Sequence, residues 1–169
     1  MTYPMFVHVE FMETDSPKIP TVPVASVALG YEGPDGLRSK TFDMSSGDEA
    51  EHENWKTVSG AINQFTAKFP SYAIVGWDLR NLYWPAIVVN AIREKVPIGE
   101  RLLLPLTQKW NNLPLVDLRN LVLQGGFSQE EITLGNACWA ITHASCEGRS
   151  PIEMTYDLYK AYAPWGRRP

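Results

Sequence analysis

Two apolar stretches rich in β-branched residues open the chain, residues 5–10 (MFVHVE) and 22–31 (VPVASVALGY), with a Pro-containing turn at 16–20 between them. Runs of this kind bounded by turn residues predict adjacent strands. A third strand fits residues 37–44, and the Gly33-Pro34-Asp35-Gly36 stretch before it is hairpin punctuation. The three predict an antiparallel start to a sheet. The apolar period then changes. Trp55, Val58, Ile62, Phe65 and Phe69 recur at alternating spacings of three and four, the stripe of an amphipathic helix. Ser46 and Glu49 have the spacing of a capping box at its start, and Pro70 closes it. Residues 72–76 (YAIVG) are apolar throughout, as in a central strand buried on both faces.

Residues 77–85 (WDLRNLYWP) read as an exposed turn into a second helix, with Pro85 in its first turn and Ile87, Val88, Ala91, Ile92 and Val96 facing inward. A strand, a turn and a helix in that order mark the place where α/β sheets bind ligands. Further on, residues 113–118 (LPLVDL) predict a short strand and 119–123 the start of a helix that Gly125-Gly126 breaks. Ser128 with Glu131, and Ser150 with Glu153, predict capping boxes for helices over 129–144 and 151–163, the latter with Pro151 in its first turn. No repeat, low-complexity tract or linker interrupts the pattern, so the expectation is one α/β domain over residues 1–169.

Composition changes this picture little. At 169 residues with 44% hydrophobic and 20% charged side chains, the chain can hide roughly 70% of its unfolded surface, and disorder or a fibrous repeat is excluded. The net charge of −4 disfavours strong non-specific nucleic-acid binding, which needs clustered Lys and Arg. Arg167 and Arg168, with Arg149 and Lys160 upstream, read as a solvated terminus. Cys138 and Cys146 lie eight apart. A helix would separate them by ~12 Å, beyond disulfide reach, so reduced thiols are expected unless the helix ends early. No Cys or His pair has zinc-site spacing. The absence of a signal sequence or a long apolar run predicts a cytoplasmic protein without membrane contact.

Three antiparallel strands, a helix, a parallel-type strand and then mostly helices is the order of an RNase H-like mixed sheet. The chain resembles the DnaQ-like 3′–5′ exonucleases of that superfamily, and in particular stand-alone relatives of the family B DNA polymerase proofreading domain. The resemblance spans roughly residues 5 to 145. Val7-His8-Val9-Glu10 stands where the family has Asp-x-Glu at the end of the first strand. Residues 77–85 match Phe-Asn-Gly-x-x-Phe-Asp-Leu-Pro at equal length with the closing proline in place. Lys109-Trp110-Asn111, then Pro114 to Leu118, Gly125-Gly126 and Ser128 follow a third stretch, Trp-Asn, His-x-Asp-Leu, Gly-Gly and Ser-Leu.

The departures bear on chemistry. The resemblance implies a centre in which four carboxylates hold two Mg²⁺ or Mn²⁺ ions for an in-line displacement. Here His8 replaces the first Asp, Tyr83 replaces the metal-binding Asp of the second motif, and Asp78 stands at the usual Asn. The late Tyr or His four residues before an Asp is not found beyond Tyr159. Glu10 alone matches, so the expectation is a degenerate exonuclease-like domain needing no cofactor, binding single-stranded nucleic acid ends or a protein partner. The alternatives are a rearranged one-metal nuclease using Mn²⁺ or Zn²⁺ (Mg or Mn if it were active), and a structural or assembly protein. Candidate catalytic residues are Glu10, Asp78 and Asp117, with Glu10 and His8 as metal ligands. Trp77, Arg80, Asn81 and Tyr83 are candidate nucleic-acid contacts, with Trp84 and Trp110 as further aromatics near the crevice. Each also has a plainer reading: His8 packs, Glu10 is an exposed carboxylate, Asp78 and Asn81 shape the turn and cap the second helix, Asp117 caps the helix after it, and the aromatics fill the core.

Overall fold

A computed structural model describes residues 2–13, 23–97, 99, 115–124 and 132–162. Strands β1 (Tyr3–Phe11), β2 (Val24–Gly33) and β3 (Gly36–Asp43) form the antiparallel meander expected from the sequence. Gly33 pairs with Gly36 across a two-residue turn, and Asp35 in that turn is bridged by Arg38 at 2.8 Å. Helix α1 (Asp48–Lys68) returns the chain to β4 (Tyr72–Gly76), which lies parallel to β1. A five-residue helical turn (Leu79–Tyr83) leads into α2 (Trp84–Arg93). The short β5 (Leu115–Asp117) then runs parallel to β4, followed by α3 (Leu118–Gln124), α4 (Leu134–Thr142) and α5 (Pro151–Tyr162). The strand order is β3-β2-β1-β4-β5. This is the RNase H-like mixed sheet flanked by helices, with the first strand at its centre.

Position in the sheet explains burial. On central β1, Met5, Phe6, Val7 and Val9 are all buried, whereas on edge strand β3 residues 38–41 are exposed. Tyr156 and Tyr159 of α5 meet the Phe6 ring edge to face, and Ile152 closes over Gly30, the partner of Phe6 on β2. On α1 the expected stripe holds: Trp55, Val58 and Ile62 are fully buried and Phe65 is half-buried. Each fully buried side chain of that kind contributes about 2 kcal/mol.

Local details differ from expectation in three places. Gly47, at φ 100° and ψ 162°, is the N-cap of α1, so the Ser46–Glu49 box does not form; the Ser46 hydroxyl donates to the Asp43 carbonyl instead. The helix expected over 129–144 begins at Leu134, because Thr133 is extended and its hydroxyl accepts from the Asn136 amide. Ser128 and Glu131 lie outside the described residues. Ile92, expected inward, is 58% exposed in the last turn of α2, while Asn90 is buried with its amide donating to the Ala86 carbonyl. The Ser150–Glu153 box does form: the Ser150 amide donates to the Glu153 carboxylate at 2.7 Å, and the Glu153 amide to the Ser150 hydroxyl at 3.4 Å.

Candidate functional site

The ends of β1, β4 and β5 converge where the sequence places its candidate residues. β4 approaches β1 closely because Gly76 has no side chain: a Cβ there would sit 2.9 Å from the Val7 carbonyl oxygen and 3.1 Å from the Leu79 side chain. The chain then turns through Asp78, held in the left-handed region at φ 52°. The next turn is π-helical, with the Tyr83 amide donating to the Asp78 carbonyl at 3.3 Å. Such single wide turns re-aim side chains. Here the effect is to bring Tyr83 back over β1.

His8 and Glu10 lie two apart on β1 and therefore share a face. The His8 Nδ1 lies 3.0 Å from the Tyr83 hydroxyl, and the two rings meet edge to face at 5.2 Å. Burial lowers the His8 pKa to about 4, against the pull of the Glu10 charge. Burial pushes the Tyr83 phenol up, and the carboxylates of Asp78 and Asp117 add to the effect. Both groups are thus neutral across the physiological range. Glu10 is exposed and accepts from the Ser26 hydroxyl at 3.1 Å.

Asp117, at the end of β5, is 4% exposed and accepts from the Arg80 amide at 2.9 Å and the Asn120 amide at 3.4 Å. One carboxylate thereby caps α3 and anchors the π-turn. Burial raises its pKa and these amides oppose the rise. Asp78 accepts from the Asn81 side-chain amide at 3.2 Å and pairs with Arg119 at 3.5 Å. It makes no side-chain cap on the helical turn that follows, so it shapes the turn without capping. The Arg80 guanidinium donates to the Leu115 carbonyl at 3.2 Å.

The structure therefore brings His8 and Tyr83 together, and separately Asp78, Arg80, Asn81 and Asp117. Trp77 and Tyr83 are 8% and 6% exposed, so their ring faces are packed, and Trp84 is fully buried. Arg80 and Asn81 are exposed. Trp110 lies outside the described residues. Beside Asp117 a cavity of about 600 Å³ is lined by Arg80, Val116, Asn120, Gln124 and Tyr162 among others. Sequence reasoning missed the last three, since they come from two helices with no motif linking them.

The donors found among the described residues do not suit paired magnesium ions, which need several hard oxygen ligands in a near-octahedral array. Among the described residues no group of three or more His, Cys, Asp or Glu side chains could hold a metal ion. The His8 Nδ1 is engaged by Tyr83, and the Asp117 oxygens by backbone amides.

No protein-family model matches the chain, and no curated protein does. Among solved structures it is similar to the family B DNA polymerase from the hyperthermophilic archaeon Pyrobaculum calidifontis, with a TM-score of 0.67 at 18% identity. The match covers 98% of this chain and 25% of the polymerase chain, so this protein spans a quarter of that length. The likeness shows a shared fold. No described helix is long and apolar enough to cross a membrane.

Proposed function

We propose that this protein is an exonuclease-like domain without two-metal catalysis, whose crevice is kept as a binding surface for the ends of single-stranded nucleic acid. The His8–Tyr83 hydrogen bond carries the reading. It joins the two positions at which the resemblance implies metal-binding carboxylates, and it puts a neutral pair there, with Tyr83 buried and His8 half-buried. Metal-dependent phosphodiester hydrolysis needs negative charge to gather dications, and this pair supplies none.

What remains for a ligand is the exposed rim. Arg80 offers a guanidinium that can reach a phosphate, and Asn81 offers an amide one residue away. Trp77 and Tyr83 are too well packed to stack on a base, so the contact is with backbone rather than base and is modest and salt-sensitive. The test is an anisotropy titration with short labelled single strands at low and moderate salt, beside a hydrolysis assay in Mg²⁺ and in Mn²⁺. Expected are binding that weakens with salt, a several-fold loss in Arg80→Ala, and no cleavage. Absence of binding at either salt turns the reading to a protein partner. Mn²⁺-dependent cleavage that Glu10→Ala abolishes replaces it with a one-metal nuclease.

A further inference from the structure

Helix α4 ends early, and that reversal changes the relation of the chain's two cysteines. His143 adopts the left-handed conformation at φ 55°, its amide donating to the Trp139 carbonyl, and the chain folds back along the helix it has just left. The Ala144 amide donates to the Thr142 hydroxyl at 3.2 Å. The Cys146 sulfur then reaches the Gly135 carbonyl in the first turn of α4, at 3.2 Å. Gly135, Cys138 and Thr142 are spaced three and four apart and share one face of the helix. The Cys138 sulfur lies 3.7 Å from the Thr142 hydroxyl on that face. Cys146 therefore packs onto the strip of helix that carries Cys138, where an unbroken helix would have held the two about 12 Å apart.

We propose that Cys138 and Cys146 form a reversible redox pair, closing to an intramolecular disulfide under oxidising thiol–disulfide conditions. Burial raises the Cys138 pKa, and the adjacent Cys146 thiol adds to the rise while the Thr142 hydroxyl opposes it. Cys138 is wholly buried and Cys146 half-exposed, which orders the steps. The Cys146 thiol loses its proton to water and attacks one sulfur of a low-molecular-weight disulfide. A mixed disulfide forms and one thiolate leaves. Cys138, deprotonated in turn, attacks the Cys146 sulfur, the internal bond forms and the second thiolate leaves. The balance is one protein dithiol and one small disulfide converted to one protein disulfide and two small thiols. A transient bond of this kind suits a reducing compartment, where lasting disulfides are rare.

The bond would tie the middle of α4 to the connector into α5. That connector is already fastened at Arg149, which pairs with Asp157 of α5, and α5 lies over Phe6. Oxidation would thus rigidify the helix pair on the sheet face that carries His8.

The test uses the full chain equilibrated with glutathione buffers of increasing oxidised-to-reduced ratio, read by intact mass and by thiol counting after denaturation. Expected in the wild type are loss of two hydrogens without a glutathione adduct, disappearance of both thiols, and a thermal midpoint raised by about 5 °C, as closing a short loop predicts. Cys138→Ala should stop at a glutathione adduct on Cys146, and Cys146→Ser should leave Cys138 unmodified. Both variants should lack the redox-dependent midpoint shift. Two free thiols at the most oxidising ratio, a persistent adduct on the wild type, or a disulfide found only between chains overturns the proposal.

Discussion

The two sides of the crevice retain polar groups by opposite means. On the β1 side, His8 and Tyr83 face each other as a neutral pair, with one hydrogen bond between them. On the β4–β5 side, the carboxyl groups of Asp78 and Asp117 are occupied by Arg119, Asn81 and the amides of Arg80 and Asn120. A buried polar group must be matched, since leaving it unpaired costs about 1–3 kcal/mol. One side meets that demand by giving up charge, the other by committing the carboxylate lone pairs to the protein itself. A carboxylate at the end of a strand is therefore not by itself a ligand; what its oxygens already accept decides.

The largest expected effect tests the acidic side. Asp117→Ala should lose about 3–4 kcal/mol in chemical denaturation, because two inward amides lose their acceptor. Asp117→Asn, which keeps one oxygen, should lose clearly less. Equal losses in the two would mean that Asp117 serves packing and not the amides.

The neutral side should show itself through pH. An unfolded histidine takes up a proton as pH falls through 6.5, whereas His8 in the fold resists until about 4. The unfolded state therefore binds more protons between these values, and stability should fall with pH across that window, by up to about 3 kcal/mol at its lower end. Asp117 acts in the opposite sense, since its raised pKa makes the folded state the first to bind that proton. His8→Asn should flatten the slope that His8 contributes. An unchanged profile in that variant would show that His8 is not held neutral by the fold.

Smaller effects should follow at the hydrogen bonds themselves. Tyr83→Phe should cost about 1 kcal/mol, the usual worth of one neutral hydrogen bond. A stabilised Tyr83→Phe variant would mean that packing of the ring outweighs its hydroxyl. Glu10→Gln, at an exposed position beside Ser26, should stay within about 0.5 kcal/mol of wild type in stability. A larger loss would show that Glu10 holds the end of β1, and the contrast between the two sides would need redrawing.

Much of the framework was legible as pattern. The β-branched apolar runs of β1 and β2, the Gly33–Gly36 turn, the α1 stripe and the all-apolar β4 each mark an element or a boundary, and hydrophobic burial enforces them wherever the element packs. The Ser150–Glu153 box was readable because its partners are three residues apart. The Ser46 box was not realised, since Gly47 could take a conformation that moved the cap on by one residue.

The sequence alone determined which elements form and in what order, because period and turn chemistry act over a few residues. It also determined that His8 and Tyr83 stand where the resemblance implies carboxylates. Only tertiary structure decided that these two, 75 residues apart, meet as one pair, that Asp117 reaches back across 37 residues to the Arg80 amide, and that Cys146 returns to Cys138's side of α4. Such meetings depend on a close strand approach at Gly76, a π-turn and one left-handed residue. Each is a small local deviation whose consequence appears only after the chain has closed on itself.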